Sequence, residues 1–155
     1  KLNEGIFRGE TINTPSMLAV EDCLDALAWA ENLGEPLSAR CDRNLAVLAE
    51  WVDRTPWVDF LAEDPATRSN TSVCLKIVDP AVAGAPVEAQ AAFAKALAAK
   101  LEAEGVALDI GAYRDAPPGL RIWAGGTVEA DDLAALTQWL DWAYAVTEKP
   151  RAAAA

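Results

Sequence analysis

Hydrophobic residues recur at helical spacing in four stretches of the chain. The pattern predicts helices at 15–33, 37–52, 87–104 and 127–144. Apolar side chains repeat every three or four residues in each stretch, which places them on one face of a helix. Gly34, Pro56 and Gly105 follow the first three stretches, and such residues commonly end helices. Each predicted helix therefore has one face to bury, and the first three have a defined end.

Shorter stretches alternate between apolar and polar residues, which is typical of strands. They predict strands at 57–61, 72–78, 106–110 and 120–124. The strands come in neighbouring pairs, with one predicted helix between the pairs and others before and after them. This order predicts an α+β fold in which an antiparallel or mixed sheet has helices packed on one face.

Composition narrows the class of protein. Hydrophobic residues make up 52% of the 155-residue chain, which is enough for a core. The net charge of −11 disfavours nucleic acid as a partner, because an acidic surface repels phosphates. The sequence has no apolar run of membrane-spanning length and no signal-peptide core, so we expect a soluble, cytoplasmic protein with no membrane partner.

The three cysteines, Cys23, Cys41 and Cys74, are widely spaced and odd in number, and the chain contains no histidine. These features predict neither a metal site nor a disulfide framework. They favour a reducing compartment and free thiols that are buried in apolar surroundings.

The segment 9–17 is polar, rich in small residues and placed just before the first predicted helix. Asn13 and Thr14 within it can donate hydrogen bonds to an anion, and Pro15 suits the first position of a helix. The simpler alternative is that Thr14 only caps the helix, which is worth about 1 kcal/mol.

Two arginines near the C-terminus are the other candidates. Arg114 leads into a turn, and Arg121 interrupts an apolar strand next to the Pro117-Pro118-Gly119 turn. A guanidinium group can bind a carboxylate or phosphate through two parallel hydrogen bonds. Alternatively, strand alternation points Arg121 to solvent. The polar segment 68–72 is either a substrate-facing loop or an ordinary turn.

Three blocks closely resemble one family. In chain order they read GETINTPSM at 9–17, TRSNTSVCL at 67–75 and GAYRDAPPGLRIW at 111–123. In this order they resemble the C-terminal part of the phosphoserine aminotransferases, and the resemblance extends from the first residues to about Tyr144. Each block is a weak signal alone, but their shared order makes the combined signal strong.

The resemblance implies a fold-type-I transaminase that uses pyridoxal 5'-phosphate (PLP) and forms homodimers with composite active sites. It implies that Asn13 and Thr14 contact the PLP phosphate of the other subunit, and that Arg114 and Arg121 bind acidic groups of the substrate. Arg121 is the better match. Many members have a histidine where this chain has Tyr113, and the two arginines here are one residue further apart.

The resemblance also implies a domain organisation. Residues 1–32 would be the tail of the large PLP-binding domain with a linking helix, 33–148 the small C-terminal domain, and 149–155 a frayed tail. The lysine that forms the Schiff base would lie upstream, so no catalytic residue is assigned and we expect the chain alone to be inactive. The whole enzyme would transfer an amino group between glutamate and 3-phosphohydroxypyruvate in serine biosynthesis. The alternative is a stand-alone acidic α+β binding or regulatory module without catalysis.

Overall fold

The computed structural model describes residues 4–11 and 13–152. The chain divides into two compact units, Lys1–Leu37 and Ser38–Ala155. The first unit contains a short 3-10 helix, Glu4–Arg8, and helix α1, Met17–Glu31. Residues 1–3, 12 and 153–155 lie outside the described residues. The frayed tail predicted at 149–155 is therefore described only in part.

Helix α1 begins two residues later than the sequence predicts. Its N-cap is Ser16, whose side-chain oxygen accepts a hydrogen bond from the backbone N–H of Ala19 at 3.4 Å. The alternative in which Thr14 caps the helix is therefore wrong, and Pro15 is not the first helical residue. Asn13 and Thr14 thus lie in the chain that leads into the helix, where their side chains are not needed to begin it.

The predicted apolar stripe of α1 is exposed. Met17 is 68% exposed, Leu24 54% and Leu27 56%, and no residue of the helix is buried. The helix predicted from this spacing does form. However, its apolar side chains are not buried against any other described residues. Contiguous apolar surface of this kind is typical of a contact surface.

The second unit is built from a three-stranded sheet and helices. Its strands are β1 Val58–Phe60, β2 Ser72–Ile77 and β3 Leu120–Trp123, and its helices are α2 Leu37–Arg54, α3 Pro80–Ala83, α4 Val87–Ala103 and α5 Ala130–Ala152. The strands are antiparallel in the order β1-β2-β3, and Cys74 stands opposite Arg121 in the register. Helix α5 begins three residues after the predicted start at 127 and continues beyond the predicted end at 144.

Alternate side chains of the strands form the core with the helices. Leu75 of β2 and Ile122 of β3 are 2% and 1% exposed, and Leu48, Leu97 and Leu140 of three helices are fully buried against the same cluster. Fully burying such a side chain contributes roughly 1.5–3 kcal/mol. This arrangement confirms the predicted α+β architecture with helices on one face.

The predicted strand at 106–110 does not form. Gly105 has a positive φ of 68°, and the N–H of Val106 bonds to the carbonyl of Leu101 at 2.9 Å, so this segment serves to end α4. Asp109 has a φ of 54°, which breaks an extended backbone. Only the end of the segment approaches the sheet, where the N–H of Arg121 donates to the carbonyl of Ile110 at 2.9 Å.

The cysteines follow the prediction only in part. All three are free; Cys41 is buried, Cys74 is half-buried, and Cys23 is exposed. Cys23 differs because it lies on α1, which buries none of its residues. Within the described residues, no helix combines the length and apolar character needed to cross a membrane.

Candidate functional site

The candidate site lies on the face of β3 that is opposite the core. Leu120 and Ile122 point into the core, so Arg121 and Trp123 project from the opposite face of the strand. The side chain of Arg121 is 35% exposed. The alternation that predicted a solvent-facing arginine is therefore real, but the side chain is only partly accessible to water.

The guanidinium of Arg121 has a weak partner. Its Nη2 atom donates to Oδ2 of Asp109 at 3.1 Å, and the side chain of Asp109 is 89% exposed. Such an exposed pair contributes about 0–1 kcal/mol. A guanidinium carries five N–H donors. A ligand carboxylate can therefore replace Asp109 at a small cost.

Arg121 and Trp123 line the same cavity. It has a volume of about 360 Å³ and is lined by the 106–110 segment, by β3 and by the first turns of α5. Its lining includes the apolar residues Leu133 and Leu136 and the acidic residues Asp109 and Asp132. The volume falls in the range of small-molecule sites. The cavity thus combines one cation, a half-exposed indole and an apolar wall.

The indole of Trp123 is held in one orientation. Its Nε1 donates to Oγ1 of Thr127 at 2.8 Å. A methyl group at Gly125 would lie 2.2 Å from the indole ring, so the ring rests directly on backbone that only glycine leaves open. Trp123 is nevertheless 53% exposed.

The loop at 124–129, which follows Trp123, is fastened to α2. The Nε of Arg40 donates to the carbonyl of Gly126 at 2.8 Å, and its Nη2 contacts a side-chain oxygen of Glu129. The amide of Asn44, 1% exposed, donates to the carbonyls of Ala124 and Val128 at 3.0 and 3.1 Å. These contacts satisfy buried carbonyl groups that would otherwise cost free energy.

Sequence reasoning missed Arg40 and Asn44. Their one signal is that two polar residues stand four apart next to the apolar face of α2, where they lie on the same side of the helix. The spacing alone does not say which loop they bind.

The structure does not bring Arg114 and Arg121 to the same cavity. Arg114 is exposed in the 111–119 turn and lines a different cavity of about 320 Å³ together with Lys95. Tyr113, which precedes it, is 66% exposed. In the described residues, Arg121 and Arg114 therefore lie at two separate cavities.

Asn13 and Thr14 belong to the first unit, ahead of α1. Both are exposed, and neither side chain hydrogen-bonds within residues 4–11 and 13–152. Together with the backbone N–H groups of the first turn of α1, they offer an amide, a hydroxyl and main-chain donors. This donor set fits a phosphate group such as that of PLP.

The polar block 68–72 leads into β2, and Arg68, Ser69 and Ser72 line a cavity of about 250 Å³. The Nε of Arg68 donates to the carbonyl of Ala62 at 3.1 Å, and its guanidinium lies 4.0 Å from the centre of the Phe60 ring. The hydroxyl of Ser69 accepts hydrogen bonds from the N–H groups of Thr71 and Ser72. Its polar groups are thus used to hold the entry to β2.

The fold is similar to that of solved aminotransferases. A phosphoserine aminotransferase from Bacillus circulans subsp. alkalophilus matches 86% of this chain and 34% of its own, with a TM-score of 0.70 at 18% identity. A phosphoserine aminotransferase structure that records radiation damage of the Schiff base matches 85% of this chain and 34% of its own, with a TM-score of 0.68 at 17% identity. At these identities the likeness defines the class of fold, that of an aminotransferase domain.

Two proteins with similar sequences are both phosphoserine aminotransferases. Over 146 residues, 93% of this chain, the chain is 51% identical to phosphoserine aminotransferase of Methanosarcina barkeri and 50% identical to that of Methanosarcina mazei. No protein-family model matches the chain. Over this length the chain is similar in sequence to the C-terminal part of these phosphoserine aminotransferases. It spans 37% of the length of these relatives.

Proposed function

We propose that this chain is the C-terminal region of a PLP-dependent transaminase that transfers an amino group between glutamate and 3-phosphohydroxypyruvate in serine biosynthesis. The observation that carries the proposal is the placement of Arg121, which is half-buried at a cavity of metabolite size and pairs with an exposed aspartate. The identity of 51% to a phosphoserine aminotransferase supports the choice of reaction.

Each candidate residue has a distinct role in this proposal. Arg121 binds the carboxylate that the two substrates share, and Arg114 is a second candidate for an acidic group. Asn13 and Thr14 bind the phosphate of PLP across the interface of a homodimer. When bound, PLP supplies the electron sink for amino transfer, and the residues of this chain position the reactants.

The domain organisation predicted above is part of the proposal. Residues 1–32 form the tail of the large domain with a linking helix, and 33–148 form the small domain. The exposed stripe of α1 supports this assignment, because a helix at the edge of a larger domain keeps an apolar face for that domain. We place the whole enzyme in the cytoplasm.

The reaction itself is tested with the full-length protein that contains this region. We expect the purified protein to convert 3-phosphohydroxypyruvate to phosphoserine when glutamate and PLP are present. The 155-residue chain expressed by itself is expected to show no turnover. A full-length protein that binds neither PLP nor glutamate would instead support the binding-module alternative.

The phosphate role of Asn13 and Thr14 is tested by substitution. Asn13→Ala and Thr14→Ala are each expected to weaken PLP binding by the full-length protein about 10-fold, since a hydrogen bond to a charged group contributes about 1.5–3 kcal/mol. Equilibrium titration with PLP measures the change. Ser16→Ala is the matched control, because Ser16 caps α1 and should alter stability but leave PLP affinity unchanged. If all three variants lost the same PLP affinity, the loss would be due to destabilisation of helix α1 and would contradict a direct phosphate contact.

A further inference from the structure

Trp123 is half-exposed and yet held in one orientation. Its Nε1 donates to Oγ1 of Thr127 at 2.8 Å, and its ring lies over Gly125, where any Cβ would meet the ring at 2.2 Å. The loop that supplies these two residues is in turn tied to α2 by Arg40 and Asn44.

The position of the ring relates it to Arg121. The two residues are separated by one position on β3 and project from the same face, which places their Cα atoms about 6–7 Å apart. Both line the cavity of about 360 Å³. A molecule whose carboxylate pairs with Arg121 therefore has its next carbon atoms beside the indole.

The charged residues that line the cavity determine which end of such a molecule enters it. Arg121 is the cation in its lining, whereas Asp109 and Asp132 contribute carboxylates. One carboxylate of the ligand is accommodated by Arg121, but a second anionic group is repelled by the two aspartates. The carboxylate end therefore enters beside Trp123, and the distal phosphate or carboxylate points out of the cavity.

We propose that Trp123 is a further substrate-binding residue whose indole forms the wall against which the carboxylate end of the α-amino or α-keto acid packs. This inference rests on the proposed function, because it takes the ligand of Arg121 to be the acid substrate. Large, rigid aromatic rings provide contact area at a low cost in conformational entropy. Thr127 and Gly125 are positioning residues that act through the ring.

The first test is a set of Trp123 variants of the full-length protein. Trp123→Ala is expected to raise the KM for glutamate about 10-fold, because it removes the apolar contact. kcat should change less than about 2-fold, because a wall that contacts the substrate and transition state equally contributes uniform binding. Trp123→Phe, which keeps an aromatic wall, should raise KM about 3-fold. An unchanged KM in a folded Trp123→Ala variant overturns the inference.

The second test is a double-mutant cycle between Trp123 and Thr127. Thr127→Val, which is nearly isosteric, is expected to raise the KM of the wild-type protein about 3-fold by releasing the indole N–H. In the Trp123→Phe background the same change should have no effect, because phenylalanine has no N–H to lose. An equal effect in both backgrounds would mean that Thr127 only stabilises the loop, and would overturn the positioning role. This cycle remains informative if Trp123→Ala fails to fold.

Arg121→Gln separates a failure of this inference from a failure of the proposed function. If Arg121→Gln raises the KM for glutamate while the Trp123 variants do not, the carboxylate role stands and Trp123 is not part of the site. If neither set of variants changes KM, the placement of the substrate at this cavity is wrong. If both change it and the cycle couples Trp123 to Thr127, the inference holds.

Discussion

Replacing Arg121 with glutamine is expected to raise the KM for glutamate about 100-fold in the full-length protein, and replacing it with lysine about 10-fold. The first change removes the cation and the second removes the paired N–H donors that fit a carboxylate. Hydrogen bonds to charged groups contribute about 1.5–3 kcal/mol, which sets the scale of the loss. Steady-state kinetics with each substrate measures it.

Asp109→Asn is the matched control for Arg121. Asp109 is the residue that pairs with the guanidinium at 3.1 Å. If Arg121 only anchors the 106–110 segment, Asp109→Asn and Arg121→Gln remove the same contact and should have the same effect. If Arg121 binds substrate, Asp109→Asn removes a competitor and KM should stay constant or fall. A rise in KM of similar size in both variants would contradict the carboxylate role.

Arg114→Gln shows whether the second arginine contributes. Because Arg114 lines a different cavity, we expect a change in KM of less than about 3-fold, unlike that of Arg121→Gln. A loss as large as that of Arg121→Gln would show that both arginines bind the substrate in the full-length protein.

Gly119→Ala is expected to destabilise the fold by about 3 kcal/mol, at the upper end of overpacking effects. A Cβ at this position would lie 2.0 Å from the carbonyl oxygen of Leu75 and 3.2 Å from its carbonyl carbon. Both atoms belong to the backbone of the central strand β2, so no side-chain rotation relieves the clash. The strands β2 and β3 would have to separate. Denaturant unfolding measures the change in the free energy of unfolding.

Gly111→Ala is the control at the other end of the same turn. A Cβ there meets nothing within 4 Å, and Gly111 is not among the residues with positive φ. We expect a change of at most about 0.5 kcal/mol. Equal destabilisation by both substitutions would mean that the turn requires glycine flexibility at both ends and that the contact with Leu75 is not the cause.

Much of the second unit follows from local pattern. Helices α2 and α4 and strand β2 were predicted within a few residues, because their periodic apolar side chains are the same ones that enter the core. The strand predicted at 106–110 shows the limit of this reasoning. Its alternation was real, but Gly105 and Asp109 adopt positive φ values, and the ending of α4 decided the backbone.

The sequence by itself determined the α+β architecture, and it made Asn13, Thr14 and Arg121 candidates for binding. It did so because periodicity and the resemblance of three blocks are properties of short segments. Only the tertiary structure separated Arg114 from Arg121 and joined Arg121 to an oriented Trp123.

The physical reason is the range of the contacts involved. The orientation of Trp123 depends on a loop held by Arg40 and Asn44, residues that lie 86 and 80 positions away from the carbonyls they bind. No local pattern contains such a pairing, because it exists only after α2 has packed beside the end of β3. The candidate arginine was therefore visible in the sequence, whereas its surroundings became visible only in the folded chain.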